Sequence, residues 1–80
     1  MEGVRKEILR IATQRGACKT LCPSEVARSL YSAAEWRGRM ESVRKVGRSL
    51  AAEGRIVVTQ KGAVVDPERA RGPIRYRLVE

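Results

Sequence analysis

Gly54 divides the chain between two hydrophobic periods. Before it the apolar residues recur every three or four positions; after it they come in short β-branched runs and then alternate over 74–79. A sequence that changes period once, near its middle, folds as helices followed by a sheet. The stretch just before the change, Ser32 to Gly54, sets the frame. It predicts a helix over 33–53, with Ser32 and Glu35 at the Ser-x-x-Glu capping-box spacing and Gly54 as the left-handed stop. Trp36, Met40, Val43, Val46, Leu50 and Ala51 fall on one face, which Trp36 heads as an expected core residue. Gly47 lies within that stripe, where a neighbouring backbone is expected to come close. Arg37, Arg44, Lys45 and Arg48 fall on the other side, with Glu41 among them. That side reads either as a solvated flank or as a surface laid on a polyanion.

The residues upstream carry two more helical patterns. Over 2–15, Val4, Ile8, Ile11 and Ala12 form an inner face, and Gly16 ends the helix. Leu9 lies off this stripe. A second helix is expected over 23–31, with Pro23 at its first position and Glu25 favouring its N-terminus. Val26, Ala27 and Leu30 are its expected inner residues. The tight connection from Tyr31 to Ser32 implies a large crossing angle, the helix-turn-helix arrangement. Downstream, strands are expected over 55–60, 63–65 and 74–79. Lys61-Gly62 forms the first turn and Asp66-Pro67-Glu68 the next. In the last strand Ile74, Tyr76 and Leu78 point one way, Arg75 and Arg77 the other.

Eighty residues allow one domain with a small core and no large pocket. With 17 Lys and Arg against 9 Asp and Glu, the net charge is +8, which favours nucleic acid or an acidic surface as partner. Thirteen of those bases are Arg, which suits phosphate forks but also accompanies GC-rich genomes. No apolar run is long enough to span a membrane, the first residues lack the apolar core of a signal peptide, and a cytoplasmic protein is expected. With no His, no nucleophile elbow, no phosphate loop and no carboxylate cluster, catalysis is not expected, nor is a cofactor. Cys18 and Cys22 supply at most two metal ligands, so reduced thiols are expected rather than zinc or a disulfide.

Three helices followed by a hairpin with a basic loop is the order of a winged helix, an α+β fold. The stretches CPSEVARSL, WRGRMESVRKVGRSLAAEGRI and TQKGAVVDPERARGPIRYRL resemble a small bacterial winged-helix family of unknown function, over roughly residues 4–78. Cys22-Pro23-Ser24-Glu25-Val26-Ala27 and Arg71-Gly72-Pro73-Ile74-Arg75 carry the resemblance most specifically. It implies the fold and transfers no functional residue. From the residues themselves, double-stranded DNA is the expected partner. Helix 33–53 would approach the major groove with Arg37, Arg44, Lys45 and Arg48. Ser24 would donate to a phosphate. The wing would bring Arg69, Arg71, Arg75 and Arg77, four bases in nine residues without an acid. For Arg71 and Arg75 a structural tie to Asp66 or Glu68 is the competing role. A protein–protein module with a basic face, monomeric or weakly dimeric through an apolar patch near Leu9, is the alternative function.

Overall fold

A computed structural model describes residues 2–16 and 19–79. Helix α1 spans Glu2–Arg15, α2 Pro23–Leu30 and α3 Met40–Ala52. Strands β1 (Ile56–Gln60), β2 (Ala63–Val64) and β3 (Arg75–Leu78) form an antiparallel sheet in the order β2-β1-β3. Leu21 adds a one-residue antiparallel bridge to Tyr76, so the α1–α2 connection touches the sheet's other edge. The layout is winged-helix-like: three helices, then a small sheet whose long 61–74 connection forms the wing.

The inner residues of the helices and strands meet in one core. Val4, Ile8, Ile11 and Ala12 of α1 pack with Val26 and Ala27 of α2, Val43, Val46 and Leu50 of α3, and Ile56, Val58, Ile74 and Tyr76. Leu9 is half-buried against this cluster. Leu30 departs from expectation and is 38% exposed, because α2 ends with it. The α3 terminus follows the Gly54 reading in detail. Gly54, at φ 78°, donates to Ala51 O at 3.0 Å and Arg55 donates to Leu50 O at 3.0 Å, the paired closing bonds of a Schellman motif.

The start of this helix is where the sequence misleads. Residues 33–35 form a turn and Trp36–Arg39 a 3-10 helix, and the α-helix begins only at Met40. The Ser32 hydroxyl donates to the Glu35 carboxylate at 2.9 Å instead of capping a backbone N–H. Glu35 N–H bonds Ser32 O and Gly38 N–H bonds Glu35 O, each at 3.0 Å, which winds the chain at three residues per turn. Gly38, which costs about 1 kcal/mol relative to Ala inside an α-helix, favours this break. A 3.6-residue stripe does not extend through a three-residue winding, so Trp36 is half-buried at the rim of the core rather than inside it.

Two ion pairs lock the first helices. Glu7 accepts two bonds from Arg10 at 2.7 Å and one from the Ser29 hydroxyl, joining α1 to α2. Glu25 accepts from the Cys22 N–H at 2.8 Å at the start of α2, and from both ends of the Arg15 guanidinium, one at 2.9 Å. The arginine bonds come first among the causes that lower both carboxyls from their usual 4.5 to about 2. A carboxyl held down in the folded state stabilises it fully above the unfolded value and loses that contribution as pH falls toward the folded one. The melting temperature should therefore decline between about pH 4.5 and 2. Glu25→Gln should melt lower at neutral pH and show a shallower acid decline. An unchanged acid limb in that variant would remove Glu25 from the account.

Candidate nucleic-acid interface

Helix, wing and linker converge on one groove of about 770 Å³. Cys22, Pro23 and Ser24 at the start of α2 form one wall, and Met40 and Arg44 in the first turns of α3 another. Gln60 and Lys61 of the hairpin and Gly72 to Arg75 of the wing complete it. Three cations, Arg44, Lys61 and Arg75, line this groove, and no carboxylate is among its lining residues.

Local contacts fix its shape. The Gln60 side-chain amide donates to Pro73 O at 3.2 Å and to Arg71 O, which pins the returning wing to the end of β1. Asp66 turns the wing by accepting the Glu68 N–H at 2.9 Å through its side chain. Arg44 reaches across to within 3.5 Å of Gly72 O, bringing α3 beside the wing. Arg75 is anchored elsewhere: its Nε donates to Thr20 Oγ1 at 2.6 Å and a terminal nitrogen lies 3.4 Å from Thr20 O. The Ser24 hydroxyl lies 2.8 Å from Cys22 Sγ. Cys22 is a free, half-buried thiol, whereas Cys18 lies outside the described residues.

Of the nine residues expected to contact DNA, the groove gathers Ser24, Arg44 and Arg75. Lys45 is exposed on α3, and Arg48 pairs with Glu41 at 3.2 Å, which offsets part of its charge. Arg37 lies over the Trp36 ring. In the wing, the residue near Asp66 is Arg69, at 3.8 Å between two exposed side chains. Arg71 has no ion-pair partner among the described residues, and the returning part of the loop is tied by Gln60 rather than by the Arg71 side chain. Arg77 sits half-buried on β3 opposite Val57, outside the groove.

Lys61 and Gln60 join the site without having been expected there. The sequence marks the Lys-Gly pair only as a turn, and the register agrees: Gln60 pairs with Ala63 around a two-residue turn with φ 52° at Lys61 and 83° at Gly62. The signal that could have found it is that Lys takes the first left-handed position, where Asn, Asp or Gly is favoured. A non-glycine residue in this conformation costs about 1–2 kcal/mol. Lys61→Asn should therefore raise the melting temperature by a few degrees, equivalent to about 1 kcal/mol. An unchanged or lower melting temperature would show that the lysine is unstrained.

Among the described residues no group of three or more His, Cys, Asp and Glu is placed to hold a metal, and no helix is long and apolar enough to cross a membrane. Fold and groove together define a small, basic α+β domain of winged-helix-like layout with a cationic cleft between helix and wing. The chain belongs to the family described as "Protein of unknown function (DUF3253)", whose model matches residues 1–79. No curated protein matches it.

Proposed function

We propose that this domain binds double-stranded DNA and catalyses no reaction. The observation that carries the reading is the groove in which cations from α3, the hairpin turn and the wing converge without a carboxylate among its lining residues. A phosphodiester backbone is the partner such an arrangement suits: oxyanions at close spacing, recognised by guanidinium and ammonium donors. On this reading Arg44, Lys61 and Arg75 hold one backbone segment, with the Ser24 hydroxyl at its side. Lys45 and Arg48 follow the same strand along α3 in or beside the major groove. Arg69 and Arg71, exposed on the wing, reach the flanking backbone.

All seven cations on phosphates would give a log–log salt slope of about −6, and four to six engaged at once give about −4 to −5. A titration of a generic duplex across a salt series measures it. No detectable binding in low salt at tens of micromolar, within the range expected for non-specific binding, would overturn the proposal. Leu9, the expected centre of a dimer patch, is partly buried against the core, and the exposed Leu30, Val64 and Val79 lie on other elements, so the groove carries the reading further than the protein–protein alternative.

A further inference from the structure

One cationic cluster lies outside the groove. Arg28, in the last turn of α2, and Arg37, in the 3-10 helix, each place a guanidinium 4.5 Å from the centre of the Trp36 ring. Beside them Arg39 lies over Tyr31 at 5.3 Å. Among the described residues, none of these three guanidiniums has a carboxylate partner. The acids near them in sequence are engaged elsewhere: Glu25 with Arg15, Glu41 with Arg48, and Glu35 with the Ser32 hydroxyl.

Stacking engages the flat face of a guanidinium and leaves its N–H edge open. The ring thus gathers two donor forks on one residue, which lowers the ordering cost of binding an oxyanion. Because guanidiniums lie over the ring, the surface offers hydrogen-bond donors rather than a bare aromatic platform or an apolar anchor. That chemistry suits phosphate better than an unstacked base or an apolar peptide side chain. The cluster adjoins groove residues along the chain: Met40, next after Arg39, lines the groove, and Arg28 stands five residues beyond Pro23, about 8 Å along the α2 axis.

We infer that Arg28 and Arg37, stacked on Trp36, form a second phosphate-binding point for the same duplex; this rests on the DNA reading above. The cluster extends the contact from the groove past the far end of α2, and the fork geometry matters as well as the charge.

The test uses the full chain, a generic duplex and a salt series. Trp36 is the sole tryptophan, so its emission reports on the cluster directly. Emission should change on duplex binding. Arg28→Ala with Arg37→Ala should keep the melting temperature within a few degrees, weaken binding at least tenfold and flatten the log–log slope by about 2. Arg28→Lys with Arg37→Lys should restore the slope but not the full affinity. Wild-type binding with an unchanged slope in the alanine variant would overturn this inference and leave the DNA proposal standing. Full recovery of affinity by lysine would overturn the stacked-fork geometry. Absence of duplex binding by the wild type would overturn both. A poly-glutamate peptide that shifts Trp36 emission at lower concentration than the duplex would assign the cluster to an acidic protein instead.

Discussion

Tyr76→Ala should leave most of the chain unfolded, whereas Tyr76→Phe should be as stable as the parent or more so. Tyr76 is fully buried and the largest of the fully buried side chains. Its ring fills the space between β3 and α3 where Gly47 has no side chain. A Cβ built at Gly47 would overlap the tyrosine hydroxyl and lie 2.6 Å from Cζ and 2.9 Å from Cε1, well inside van der Waals contact. Truncating an aromatic residue in such a site costs about 3–5 kcal/mol. At the low end of about 0.05–0.15 kcal/mol per residue, a domain of this size has no more than that in total. The hydroxyl is a separate matter. It has no hydrogen-bond partner among the described residues, and burial pushes its ionisation up to about 12. Removing an unpartnered buried polar atom while keeping the ring is neutral or favourable. Chemical denaturation of the two variants decides both points. A loss above about 1 kcal/mol in Tyr76→Phe, the size of a typical hydrogen bond, would mean that the hydroxyl is bonded after all.

The second large effect is on DNA. Arg44→Ala combined with Lys61→Ala should weaken duplex binding about a hundredfold, since each of the two charged hydrogen bonds to phosphate is worth about 1.4 kcal/mol. The slope against salt should flatten by about 2. Both side chains line the groove, and neither is in the core, so the melting temperature should hardly fall. Arg71→Ala distinguishes wing contact from wing architecture. Gln60 binds the backbone carbonyl of Arg71, and that bond survives removal of the side chain. The variant should therefore keep its stability and lose about one unit of slope. A lowered melting temperature would instead assign the arginine a part in holding the loop. An Arg44 and Lys61 variant that binds as tightly as the parent, with an unchanged slope, would place the interface away from the groove.

The legible parts of the fold are those governed by local rules. The period of α1, the Pro23 start of α2, the Gly54 stop and the Lys61-Gly62 turn each depend on a few adjacent residues, and each is found. The alternation after Gly72 puts Tyr76 on the same side as Ile74, and both are buried. Trp36 misleads because a capping-box spacing and an apolar residue on a stripe look alike whether the winding is α or 3-10. Only the competition between Ser32, Glu35 and Gly38 separates them. At Gly47 the expected close approach is of a backbone, and the neighbour is instead a tyrosine ring near the far end of the chain. Lys61 and Gln60 escape notice for a related reason. A turn lysine and a strand-end glutamine gain their meaning from the wing returning over them, which no local pattern encodes. The charge of the wing is plain from its composition. Which of its arginines are tied and which are open depends on Thr20, Asp66 and Gln60.

The Leu21–Tyr76 bridge bears on the order in which the chain assembles. Its two bonds, 2.8 Å from Leu21 N–H to Tyr76 O and 2.7 Å in return, join residues far apart in the sequence, and Arg75 to Thr20 repeats the junction one residue away. Helices close over a few residues at little entropic cost, whereas this pairing closes most of the chain into a loop. Such long-range contacts slow folding relative to a bundle of local helices. The junction also holds the α1–α2 connection against the sheet, and α1 shares one core with Tyr76, so losing α1 uncovers the residues on which the bridge rests. Opening one end of the molecule therefore requires opening the other, and the amides of Leu21 and Tyr76 should exchange with solvent at the rate of global unfolding. Exchange there much faster than in the centre of α3 would show that the two ends come apart independently.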